Sequence, residues 1–170
     1  VPNGRVGIHW FGQNSFALKD PAGTIVQVDP YFPHDRPPER FIHSAPPLDE
    51  SQLRTDFVLL THDHGDHTCV ESIQRIHGAF PKARFVGPAE SVERILANGI
   101  PRGQVTPLAA GDEVVLGTMV AHAVWSKLAE GLPTEGIRKP DVQHLGYVIV
   151  AGEVRLYITG DLINTFADHE

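Results

Sequence analysis

Residues 56–67 read Asp-Phe-Val-Leu-Leu-Thr-His-Asp-His-Gly-Asp-His, a continuous apolar run that stops against a knot of imidazole and carboxylate. An apolar run of this length without alternation is the pattern of a buried strand. Past the knot, Val70, Ile73, Ile76 and Phe80 recur at helical spacing, so a helix follows. A buried strand feeding a helix through a polar junction restricts the chain to the α/β or α+β range.

The rest of the chain fits that frame. Arg5 to Trp10, Phe16 to Leu18 and Thr24 to Asp29 are short apolar runs separated by the turn residues Gly-Gln-Asn and Pro-Ala-Gly. Tyr31 to Pro47 is rich in proline and predicts a loop of the length that borders active sites. Arg84 to Gly87 is a short strand. Residues 88–99 form a helix, with Pro88 near its start and Gly99 past its end. Strands return at Glu113 to Leu116, Met119 to Val124, Tyr147 to Val150 and Arg155 to Thr159, with a polar loop at Ser126 to Gln143. The order predicts a sheet with helices on its outer face. No repeat or domain boundary interrupts it, so residues 1–170 are expected to form a single domain.

Composition narrows the partners. A length of 170 residues with 41% hydrophobic and 21% charged residues is globular. A net charge of −7 disfavours a polyphosphate backbone, so no nucleic-acid partner is expected. No apolar run reaches the ~18 residues needed to cross a bilayer, so no membrane association is expected. The single Cys69 excludes an internal disulfide and favours a reducing compartment such as the cytoplasm. Val1 in place of methionine points to a trimmed start.

In extended chain, residues two apart point the same way, so His62 and His64 project together and can grip one cation. Gly65 permits a sharp turn, after which Asp66 and His67 aim at a second position nearby. Imidazole with carboxylate and no thiolate cluster suits zinc, manganese or iron. Asp63 points away, in a supporting role. The alternative, a solvated loop that happens to hold histidines, fits a lone His-x-His better than this order at a strand-to-helix junction.

His-x-His-x-Asp-His after an apolar strand resembles the metallo-β-lactamase superfamily. Val26 to Phe32 looks like that family's first motif with Asp29 as its aspartate, and Val154 to Leu162 looks like its Gly-Asp strand with Asp161. The opening Trp-Phe-Gly-Gln-Asn-Ser-Phe, together with residues 85–114 and 144–161, is most similar to the L-ascorbate-6-phosphate lactonase group. The resemblance implies an αβ/βα sandwich, of which this chain holds the N-terminal half to two-thirds. It implies two divalent ions, zinc or manganese with iron as a further option. His62 and His64 would bind the first, Asp66 and His67 the second, and Asp161 would bridge both. Asp66 would also accept the proton of the activated water. A third histidine for the first ion is expected near Leu128 and is absent there; His144 is the preferred substitute and His122 the alternative. The family's last histidine is also missing, and His169 follows Asp161 too closely to replace it. A half-sandwich predicts an exposed sheet face, suited to a homo-oligomer or a completing partner.

Trp10 and Phe11 are expected in the core, Asn14 and Ser15 in a hairpin turn, and Cys69 facing the core. His77 is expected to be structural or exposed. His34, Arg36, Arg40, His43, Lys127 and Arg138 lie in the long loops, solvated or placed to meet an anionic substrate. The expected activity is hydrolysis of a small ester, lactone or phosphorylated sugar derivative. A phosphodiesterase or nuclease and a non-catalytic metal module are the competing readings.

Overall fold

The structure is a computed structural model that describes residues 1–35 and 37–162. The expectations placed on Arg36 and His169 fall outside the described residues. Among the described residues are ten strands and two α-helices: β1 (Gly7–Gly12), β2 (Ser15–Lys19), β3 (Ile25–Val28), β4 (Phe57–Leu59), α1 (Val70–Ala79), β5 (Arg84–Gly87), α2 (Ala89–Ala97), β6 (Val105–Pro107), β7 (Glu113–Leu116), β8 (Met119–Trp125), β9 (Leu145–Ala151) and β10 (Val154–Ile158).

They form two sheets, as the expected αβ/βα sandwich requires, where element order alone suggested one. The first runs β1-β2-β3-β4-β5-β6 and the second β10-β9-β8-β7. Strands β1 to β3 are antiparallel, and β3 to β6 are parallel. The second sheet is antiparallel throughout.

The apolar run in β4 has a direct explanation. Val58 and the following Leu60 enter a core with Ile73, Ile76 and Ile95 of the helices, while Leu59 points the other way. Leu59 joins Leu18, Val26, Val28 and Val86 against Leu116, Met119, Ala121, Tyr147 and Ile149 of the second sheet. A strand covered on both faces cannot alternate. Away from its edge strand β1, the first sheet therefore does not present the exposed face expected of a half-sandwich. Apolar side chains instead stand exposed on the second, at Val115, Val154 and Tyr157.

β4 ends at Leu59, before the predicted Thr61. Leu60 N still donates to Val86 O and Thr61 N to Asp29 Oδ1, so neither amide is orphaned. β6 was not foreseen, because three residues ending in proline carry too little pattern. Trp10 is half exposed on edge strand β1, contrary to its expected place in the core, and its Nε1 donates to Gln13 O. Phe11 is buried edge-on to Phe32 as expected.

Asp20 joins the sheets. Its buried carboxylate accepts from Thr24 N at 2.7 Å in the β2–β3 turn, and from Thr118 N and Oγ1, both at 2.8 Å, in the β7–β8 turn. Arg75 on α1 donates to buried Glu50 and to Phe32 O, which fixes the proline-rich loop. The carboxyl ends of β3 and β4 thereby meet the start of β9 and the end of β10. Open parallel sheets place their ligands at such carboxyl ends.

Candidate metal centre

Asp29 follows β3 with φ 42, a left-handed conformation that is costly for a non-glycine residue. Its completely buried carboxylate accepts from Thr61 N at 2.8 Å and Thr61 Oγ1 at 2.6 Å, and lies 2.8 Å from His67 Nδ1. These bonds fix His67 so that Nε2 faces inward. After β4 the chain winds back on itself: His67 N and Thr68 N both donate to His64 O, and Thr68 Oγ1 donates to His62 O. His62 and His64 do project together, with Nε2 and Nδ1 3.0 Å apart. His64 Nε2 meets Asp141 Oδ2 at 3.0 Å, leaving Nδ1 turned toward the cluster.

His144 completes the group from the other sheet. Trp125 pairs with Leu145 across the β8–β9 ladder, and Ser126 N donates to His144 O. Its ring stacks on His62 with centroids 4.0 Å apart. Asp161 follows β10 through Gly160, whose φ of +58 strains any side chain and whose approach to Thr61 crowds one: a Cβ there would stand 3.0 Å from Thr61 Cβ. Asp161 Oδ2 lies 3.6 Å from His62 Nε2, and Oδ1 lies 3.4 Å from His67 Nε2.

Two donor groups result, His62–His64–His144 and His62–His67–Asp161, each with its donor atoms within 4.8 Å of one another. His62 belongs to both groups, and Asp161 turns one oxygen to His62 and the other to His67. This nitrogen-and-oxygen donor set fits a divalent cation. His144 makes the strongest case: it is buried, and neither ring nitrogen has a hydrogen-bond partner. Burial, then the nearby Lys127 charge, depress its pKa to about 4, so it is a neutral donor at pH 7. Burial and the neighbouring His67 and His144 likewise push His62 well below the ordinary histidine range. His67 is the opposite case. Burial opposes its charge, yet the Asp161 and Asp29 carboxylates on either side raise its pKa to about 10. Asp161 is held well below the usual carboxylate range, chiefly by its bond to His67.

Of the two substitutes for the third histidine, only His144 reaches the cluster. His122 points from β8 to Glu113 at 2.8 Å. Asp66 stands outside both groups, more than half exposed, with Oδ2 3.9 Å from His67 Nε2. Asp63 points away and pairs with Arg94 at 2.6 Å. Cys69 is buried, His77 meets Gln104, and His43 lies against Gly12 of the first hairpin.

Three contributors were not foreseen. Asn14 Nδ2 donates to Asp161 Oδ1 at 3.2 Å and lies 3.4 Å from His67 Nε2. Ser126 Oγ donates to Asp161 O at 2.8 Å. Asp141 braces His64, and its spacing three residues before His144 is the one signal that could have revealed it. No sequence spacing connects Asn14 to Asp161.

A family model described as "Beta-lactamase superfamily domain" matches residues 7–170. A UPF0173 metal-dependent hydrolase of Anaeromyxobacter sp. (strain K) is 29% identical, over 93% of this chain and 56% of the relative. One from Pyrobaculum aerophilum is 28% identical, over 91% of this chain and 60% of the relative. The chain thus spans little more than half the length of these curated relatives. Among solved structures, the isothiocyanate hydrolase from Delia radicum gut bacteria aligns with TM-score 0.67 at 20% identity, covering 92% of this chain and 62% of that one. CmlA, a diiron β-hydroxylase from Streptomyces venezuelae, aligns with TM-score 0.66 at 21% identity, covering 97% and 31%. At such identities the likeness speaks to the fold alone. The family match and the His-x-His-x-Asp-His loop at the mouth of the two sheets agree, and the chain belongs to the β-lactamase superfamily.

Proposed function

We propose that this chain carries the metal centre of a divalent-metal-dependent hydrolase. His62, His64 and His144 hold one ion, His67 and Asp66 hold a second, and Asp161 serves both. The observation that carries this reading is the convergence of His62, His64, His67, His144 and Asp161, with His144 buried there and its two ring nitrogens without a hydrogen bond; Asp66 is assigned to the second ion from its place beside His67. Zinc and manganese suit the donor set best, and iron is compatible with it. Bound divalent cations supply Lewis-acid polarisation and acidify water toward pKa ≈ 7.

The chain's own groups do the rest. Asp29 and Asp141 fix which nitrogen His67 and His64 present. Asp66, exposed beside His67, would take a proton from water. Lys127 adds positive charge beside His144 and Asp161, which favours a substrate that develops negative charge. The substrate is a small ester, lactone or phosphorylated sugar derivative, as the likeness to the lactonase group implies. The names of the relatives, metal-dependent hydrolases, support the reaction class.

The test is metal content of the purified full chain, followed by turnover of p-nitrophenyl acetate, a γ-lactone and bis-p-nitrophenyl phosphate with and without EDTA. Ester or lactone turnover lost to EDTA and restored by zinc or manganese is expected. Turnover of the phosphodiester alone favours a phosphodiesterase. Absence of bound metal overturns the centre itself.

A further inference from the structure

The β1–β2 hairpin closes with the Gln13-Asn14 turn, in register Gly12↔Ser15. A turn of this kind asks nothing of the side chain at its second residue except compatibility with the turn. Gln13 adopts φ 49, the positive value that a two-residue hairpin turn requires at its first central residue. The turn is also anchored: Ser15 Oγ donates to Asp29 O at 2.6 Å and accepts from Tyr31 N at 2.8 Å. The hairpin is thus tied to the residue that orients His67.

The outcome of that anchoring is the direction of Asn14, whose amide reaches Asp161 Oδ1 at 3.2 Å and His67 Nε2 at 3.4 Å. The chemistry of Asp161 settles which end of the amide faces it. A carboxylate only accepts hydrogen bonds, so the –NH2 must face Asp161 rather than the carbonyl oxygen. Asp161 has no element of regular structure to hold it, since it follows β10 by a Thr-Gly pair. Ser126 Oγ bonds its backbone oxygen; Asn14 bonds its carboxylate.

We propose that Asn14 is a positioning residue of the metal centre: the hairpin delivers its amide to Asp161 and fixes the carboxylate of the His62–His67–Asp161 group. The inference rests on the proposed role of Asp161 and goes beyond it. A carboxylate held by a hydrogen bond presents its other oxygen in one orientation, and loss of such a support typically weakens metal affinity 10–100-fold.

Asn14→Gly and Asn14→Asp separate this role from a turn role, because both residues are good turn formers. If Asn14 serves only the hairpin, both variants bind metal as the parent does. If it positions Asp161, Asn14→Gly weakens the zinc equivalent that depends on Asp161 by about tenfold or more. Asn14→Asp weakens it further, because a carboxylate then faces a carboxylate. The full chain is titrated with zinc against a chromophoric chelator, and cobalt-loaded protein is followed by its visible spectrum, which reports ligand geometry. Thermal melts of the metal-free variants check the fold; a parental melt with a changed cobalt spectrum supports the proposal. Parental zinc affinity and cobalt spectrum in both variants overturn it. Asp161→Ala is the reference. If it too retains every zinc equivalent, the assignment of Asp161 fails; if it loses one while both Asn14 variants keep it, only the role of Asn14 fails.

Discussion

Replacing His144 by leucine should make the metal-free protein more stable and the zinc-loaded protein less so. In the metal-free chain the His144 ring is buried with two unpartnered nitrogens. A buried polar group without a partner costs about 1–3 kcal/mol. Leucine removes that cost and keeps part of the apolar contact with the His62 ring, whose centroid is 4.0 Å away. A net gain of about 2 kcal/mol is expected, and each kcal/mol moves the melting temperature of a domain this size by ~2–4 °C. Zinc reverses the order. An ion at a hundred times its Kd stabilises the parent by about 2.7 kcal/mol, and His144→Leu forfeits one of the three imidazoles of the first group. The assay is a pair of thermal melts of parent and variant, in EDTA and in saturating zinc. The curves should cross, with the variant melting higher in EDTA and lower in zinc. A variant that melts lower than the parent in EDTA refutes the argument that the nitrogens carry an unmet cost. An equal zinc-induced rise in both proteins refutes His144 as a donor.

Other outcomes follow from the same geometry. With its pKa at about 10 in the metal-free state, His67 is protonated at pH 7, so ion binding must expel that proton. Calorimetric zinc titrations in buffers of different ionisation enthalpy should report about one proton released and affinity rising from pH 6 to 8; release of none contradicts the placement of His67. Burial alone would raise the pKa of Asp20, but its bonds from Thr118 and Thr24 outweigh burial and hold it at about 2. The resulting stabilisation, about 2 kcal/mol, is present above the ordinary value of 3.8 and is lost as pH falls through 2. The gap in urea stability between the parent and Asp20→Asn should therefore shrink between pH 5 and pH 2, and a constant gap would contradict this. Gly160→Ala forces a side chain into left-handed backbone against Thr61. It should cost about 1–2 kcal/mol in urea unfolding and weaken zinc binding through Asp161; parental zinc affinity would show that the Gly-Asp geometry is not required.

Much of the fold was legible because burial on both faces leaves an unmistakable mark. Val58, Leu59 and Leu60 form an unbroken apolar run, and helical spacing from Val70 marks α1. The division into two sheets was not legible in the element pattern and followed only from the resemblance to a sandwich fold. β9 and β10 show strand patterns, but nothing in their composition says whether they extend the first sheet or pack across it. Trp10 misled for a related reason: an aromatic residue on an edge strand reads the same whether its neighbour is core or water.

The same limit applies to the metal centre. The sequence by itself determined the local part, His62, His64 and His67 on one tight loop, because a period of two and a glycine turn are short-range facts. Only the tertiary structure separated His144, which stands just before β9, from His122, which lies within β8, and brought His144 alone to the candidate site. The β8–β9 register sets His144 against His62, whereas His122 faces Glu113. Asn14 came to the site in the same way, from 147 positions away along the chain. Spacing reports direction over a few residues; which distant side chains share a point is fixed by how the sheets pack, through interactions spread over the whole core.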